Sequence, residues 1–231
     1  VARESALIVG AGAGLSAALA RLFAAEGMAV ALAARETAKL SDLSTETGAR
    51  AYACDAADAS AVARLFASVA ADQGFPDVVV YNPSARVRGP VAELPPEDVR
   101  RALEVTAFGG FLVGQAAAKG MLARGSGTIL FTGASASIKG FANSAPFAMG
   151  KFALRGLAES MARELQPKNI HVAHFIIDGG IAKADDPRAA ERGPDGLLLP
   201  GEIAKTYLHA HRQHRSAWTF EVALRPWSEK F

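Results

Sequence analysis

Phe147 and Lys151 stand four residues apart in Pro146-Phe147-Ala148-Met149-Gly150-Lys151, a spacing that puts both on one face of a helix. The lysine offers a cation and a hydrogen-bond donor. The ring beside it has no hydroxyl and therefore no proton to give. A second stretch able to do chemistry is Val9-Gly10-Ala11-Gly12-Ala13-Gly14-Leu15-Ser16. Its glycines let the backbone turn tightly and approach a pyrophosphate, and the helix that follows presents free N–H groups and a positive dipole end to phosphates. Gly10, Gly12, Ala13, Gly14 and Leu15 are the expected phosphate contacts. A dinucleotide site often carries an acid about 20 residues further on, for the ribose 2′-hydroxyl. Here that point reads Ala33-Ala34-Arg35. No carboxylate ends the run, and the Arg35 guanidinium suits a 2′-phosphate, so NADP is expected over NAD. In the competing reading Arg35 is a solvated cap residue and Glu36 binds the ribose. Asp55 is placed to accept from an adenine amino group, or else to cap a turn, since Asp58 and Ser60 follow.

These residues need strands and helices to hold them. Short apolar runs at Ala6–Val9, Met28–Ala33, Ala49–Cys54, Val78–Tyr81, Thr128–Phe131, His171–Ile177 and Trp218–Leu224 alternate with Ala-rich helical stretches such as Ser16–Glu26 and Ser60–Ala71. Continuous apolar strands alternating with helices predict an α/β fold, a parallel sheet of about seven strands with helices on both faces. The glycine stretch falls between the first strand and the first helix. Residues 183–201 carry few structure signals and contain Asp185-Asp186-Pro187 and Gly193-Pro194-Asp195-Gly196; they read as a substrate loop, either a lid or a plain surface connection.

Of 231 residues, 50% are hydrophobic, enough for one domain spanning 1–231 with a large core. A net charge of +2 gives no reason to expect nucleic acid or a membrane surface. Cys54 is the only cysteine, so no disulfide forms within the chain. The apolar runs are too short for a membrane span, and the first lies too close to Glu4 for a secretory leader. A cytoplasmic location is the expectation.

Taken together, the glycine loop, Cys54-Asp55, Tyr81-Asn82-Pro83-Ser84, Lys151 and Asp178-Gly179 resemble the short-chain dehydrogenase/reductase family over nearly the whole chain. The C-terminal Ala217-Trp218-Thr219-Phe220 and Arg225-Pro226-Trp227 fit the same resemblance. It implies a Rossmann-type doubly wound sheet, a nicotinamide cofactor, a small carbonyl or alcohol as substrate, and a homodimer or homotetramer. It adds Asn82, Gly179 and Ile181 to the expected cofactor contacts, and gives Lys151 the nicotinamide-ribose hydroxyls. Each motif departs from the family's form. TGxxxGxG has Val9 for its threonine and Ser16 for its last glycine, and NNAG reads Tyr81-Asn82-Pro83-Ser84. Of the family's catalytic asparagine, serine, tyrosine and lysine, only Lys151 is kept. Thr106 takes the asparagine position and Phe147 the tyrosine position. The serine position matches Ala134 directly, and a one-residue bulge would bring in Ser135. The expected catalytic set is thus Lys151, Ser135 and Thr106, with Thr106 holding a water.

Other candidates carry less. His209, His211 and His214 do not share one helix face, so no metal site is expected. His171 and His174, three apart on a strand, point to opposite faces and read as packing or surface residues. Arg86, Arg88, Arg100 and Arg101 read as a solvated basic face. Trp218 and Trp227 suit a subunit contact or core packing.

Overall fold

The computed structural model describes residues 3–229. Seven parallel strands form one sheet: β1 (Ser5–Val9), β2 (Ala29–Ala34), β3 (Arg50–Ala53), β4 (Val78–Tyr81), β5 (Gly127–Thr132), β6 (Ile170–Ile177) and β7 (Glu221–Leu224), in the order β3-β2-β1-β4-β5-β6-β7. Strands β1, β4 and β6 are buried along their whole length. Such strands are covered on both faces, which is why they read as unbroken apolar runs.

The two faces have separate cores. Leu7 and Val9 of β1 face one of them, with Val62 and Leu65 of α3 (Ala59–Gln73), Val113 of α5 (Gly109–Arg124) and Leu154 of α6 (Ala145–Leu165). Ala6 and Ile8 face the other, with Leu19 and Phe23 of α1 (Leu15–Ala25), Leu43 of α2 (Ser41–Thr47) and Tyr207 of α8 (Pro200–Arg212). The remaining helices are α4 (Pro96–Leu103) and the short α7 (Arg188–Arg192). The expected Rossmann-type α/β architecture is therefore the observed one.

Three boundaries differ from the sequence reading. β3 is an edge strand of four residues, mostly exposed, so little burial extends it. β7 begins at Glu221, because Trp218 instead stacks on His171, with ring centroids 4.8 Å apart, and donates its indole N–H to the Gln213 carbonyl. Residues 183–201 contain α7, and the loop is tied at its base where the Leu198 N–H donates to the Gly180 carbonyl and the Ala182 N–H donates to the Leu198 carbonyl.

The order of the strands reverses between β1 and β4. Chains leave these two strands to opposite faces, and a crevice opens beyond their C-terminal ends, the usual ligand position in open parallel sheets. The glycine loop after β1 and the Asn82 loop after β4 both empty into it.

Candidate active site

Gly10 turns the chain out of β1 at φ +81°, and a Cβ there would lie 2.7 Å from the Pro83 ring. Only glycine satisfies both the left-handed backbone and the contact. The two loops are then latched together. The Asn82 N–H donates to the Val9 carbonyl at 3.0 Å, its side-chain amide to Ser16 Oγ at 2.8 Å, and Ser16 Oγ to the Gly10 carbonyl at 3.0 Å. Ser16, the residue at the family's last glycine, is thus a buried cross-link. Added Cβ atoms on Gly12 and Gly14 would meet nothing within 4 Å, so these glycines and the exposed Ala13 face open space. Gly14 starts α1 with no side-chain cap and no acid in the first turn, which leaves the helix's N-terminal N–H groups available for an anion.

A cavity of about 560 Å³ runs from Gly10 across Arg35, Glu36, Lys39, Asp55 and Asn82. Arg35 is exposed and takes part in no ion pair among the described residues. Glu36 is bound by Lys39 at 2.7 Å, and that hydrogen bond holds its carboxyl below the usual range. Lys39 was not legible as a site residue from sequence, yet it lines this cavity beside Arg35 as a second cation. Asp55 has both oxygens engaged, one accepting from the Ala57 N–H at 3.0 Å and the other from Arg101 at 2.6 Å. Burial opposes its charge, but these two donors outweigh burial and keep the carboxyl low. Asp55 is thus the turn aspartate of its alternative reading, and Asp58 caps α3 by accepting from the N–H groups of Ser60 and Ala61.

Asn82 also lines a second cavity, of about 400 Å³, together with Leu15, Ala134, Phe147, Lys151, Gly179 and Ile181. Pro146 in the first turn of α6 begins a helix that carries Phe147 and Lys151 into this space on one face. Lys151 is 3% exposed and donates from Nζ to the Thr132 carbonyl at 2.6 Å. Burial, and after it the charge of Arg86, pushes its ammonium down to about 7. Phe147 packs against Ala134 and Ala136. Arg86 lies over its ring, the guanidinium carbon 4.3 Å from the centroid. Arg86 is exposed, as the solvated-face reading of the four arginines has it, yet it also lines this cavity. Arg100 and Arg101 do sit on α4, paired with Glu97, Glu104 and Asp55. Lys183 and Arg188 of the substrate loop reach the same cavity, and sequence spacing gave no sign of either.

Two expected catalytic residues are not where the expectation put them. Ala134 lines the cavity and Ser135 does not, so no bulge brings Ser135 in. Thr106 is fully buried in a π-helical turn, Glu104–Phe108, where its hydroxyl accepts from the Ala85 N–H at 3.1 Å. It supports the loop that carries Arg86 and does not line the cavity. Beneath Ala134, the buried Ser137 hydroxyl lies 3.3 Å from His174 Nε2, and His174 Nδ1 lies 3.0 Å from Glu221. A serine, histidine and glutamate in line suggest a nucleophile, but Ser137 and His174 are both 0% exposed. Ser137 Oγ also accepts from the Ala134 N–H, so the chain braces the loop after β5. His171 and His174 are thus packing residues, and His211 joins Thr128 to Glu4.

Residues 4–185 match the family model described as short chain dehydrogenase, and the chain belongs to that family of oxidoreductases. It is 30% identical over 188 residues to the 3-oxoacyl-acyl-carrier-protein reductase MabA of Mycobacterium bovis, covering 80% of this chain and 74% of the relative. A crystal structure of a short-chain dehydrogenase from Rhodopseudomonas palustris superimposes with a TM-score of 0.83 at 38% identity, over 97% of this chain and 100% of the other. A metagenomic short-chain oxidoreductase in complex with NADP gives 0.85 at 26% identity, over 99% of both chains.

The burial of Lys151 has a measurable consequence. Its folded-state value near 7 lies below the ordinary 10.5, so between those limits the unfolded chain holds a proton that the folded chain lacks. Stability then rises with pH across that window. Relative to Lys151→Met, the cofactor-free protein should gain up to about 1.4 kcal/mol per pH unit in denaturant unfolding. Parallel pH profiles for the two proteins would contradict the burial of the cation.

Proposed function

We propose that this chain is an NADP-dependent short-chain oxidoreductase that moves a hydride to or from a small carbonyl or alcohol through a cavity with an altered proton-donor site. The observation that carries the reading is the pair of cavities joined at Asn82: one offers Arg35 and Lys39 to a 2′-phosphate, the other offers Lys151. The uncapped start of α1 and the open space at Gly12 and Gly14 fit the pyrophosphate between them. When bound, the nicotinamide supplies or accepts the hydride. Arg35 and Lys39 select the phosphorylated ribose, and Asn82 keeps the glycine loop in place. Gly179 and Ile181 wall the nicotinamide end. Lys151 donates from Nζ to ribose hydroxyls and is the titratable proton holder nearest the reacting centre.

A second reading, an NADP-binding protein of the same fold with a regulatory or structural role, draws support from the loss of the expected proton donors at Phe147, Ala134 and Thr106. Losing such an acid typically forfeits roughly 10²–10⁴ in rate. Both readings put the protein in the cytoplasm, and its one cysteine, Cys54, is buried and free. No helix among the described residues is long and apolar enough to cross a membrane.

Calorimetry separates the cofactor assignment from the chemistry. NADPH should bind on the order of ten-fold or more tighter than NADH, and Arg35→Glu should abolish the difference; equal binding of the two by the parent protein contradicts the role of Arg35. In a carbonyl panel with NADPH, slow turnover that rises in Phe147→Tyr supports the oxidoreductase. No turnover by either protein, with NADPH bound, supports the second reading. Phe108, Phe111, Met149 and Phe152 are large apolar side chains left 40–49% exposed on or next to α5 and α6, which favours a homodimer or homotetramer. Sedimentation at micromolar concentration checks this, and a monomer would contradict it.

A further inference from the structure

We propose that the substrate carries a carboxylate and that Arg86 binds it, an inference that rests on the oxidoreductase reading above. Four cationic side chains line the Lys151 cavity, Arg86, Lys151, Lys183 and Arg188, and no aspartate or glutamate does. Two of the four are already committed. Lys151 donates to the Thr132 carbonyl, and Arg188 binds Asp186 and the Ile181 carbonyl. Arg86 and Lys183 differ: among the described residues neither side chain makes an ion pair or hydrogen bond, and of the two only Arg86 has a planar fork, held against the face of Phe147. Ring contact consumes none of the guanidinium's N–H donors, so its fork is open to a planar two-oxygen acceptor.

Position and charge agree with this. Arg86 sits on the Phe147 ring, and Phe147 shares its helix face with Lys151, so an anion on Arg86 holds the rest of a small molecule against the Lys151 side of the cavity. Arg86 stays exposed enough for a ligand to reach it, while partial burial, and after it the like charge of Arg88, holds its guanidinium below the usual value. A bound carboxylate offsets the like charge of Arg88. Phe147 thereby has a use that a missing hydroxyl does not describe: it is the platform that holds Arg86 in place.

The test titrates 4-formylbenzoate and its methyl ester into the protein saturated with NADPH. The acid should bind on the order of ten-fold tighter than the ester. That preference should vanish in Arg86→Leu and shrink in Arg86→Lys, which keeps the charge and loses the fork. It should persist in Arg88→Leu, whose side chain does not line the cavity. Equal binding of acid and ester, or a preference that survives Arg86→Leu, overturns the inference. A drop in NADPH affinity in Arg86→Leu with the preference intact assigns the guanidinium to the cofactor and also overturns it. If the parent protein binds no NADPH, the oxidoreductase reading itself fails and the inference falls with it.

Discussion

The close approach of the β1 and β4 loops governs the rest of the site. Gly10 has to pass within contact of the Pro83 ring with a left-handed backbone, and Asn82 and Ser16 then tie the two loops across the point where the strand order reverses. Pro83 contributes no N–H of its own, so the latch is carried by the Asn82 amide and the Ser16 hydroxyl. Because those loops are joined, Arg35 at the end of β2 and Arg86 beyond β4 open into neighbouring cavities that share Asn82. The ligand-binding geometry is a consequence of sheet topology, with side chains choosing what is bound.

The second cavity depends on one buried cation. Lys151 reaches out of α6 to the end of β5, and its hydrogen bond to Thr132 anchors a charged group beside Phe147, Ala134 and Ile177 in the cavity wall. Beneath that wall the Ser137, His174 and Glu221 chain keeps the loop after β5 rigid. The side chains at positions 106, 134 and 147 act together. Thr106 braces the loop bearing Arg86, Ala134 packs on Phe147, and Phe147 supports Arg86. The three side chains thus pack as one unit around the loop that bears Arg86.

Much of this was legible in the chain itself because the signals were local. Val78–Tyr81 is a strand to the residue, and the glycine loop, Asn82, Arg35 and Lys151 fall where strand–helix alternation put them. What escaped sequence reasoning depends on contacts between distant segments. Arg86 is exposed, as expected of it, but nothing in its neighbourhood of the chain announces its contact with the Phe147 ring, 61 positions later. Lys183 and Arg188 sit in a segment with no periodic signal, and their place at the cavity comes from the tie between Gly180 and Leu198. Ser135 and Ala134 are adjacent, and only the turn after β5 decides which one faces the cavity. Thr106 carried no mark of the π-helical turn that buries it.

A crystal structure of the protein grown with NADPH would decide the matter. The 2′-phosphate should lie against Arg35 and Lys39, the pyrophosphate over the start of α1, and the nicotinamide ribose within hydrogen-bond reach of Lys151 Nζ. A nucleotide bound anywhere else, or one whose nicotinamide half stays outside the Lys151 and Phe147 cavity, would contradict the reading of this site.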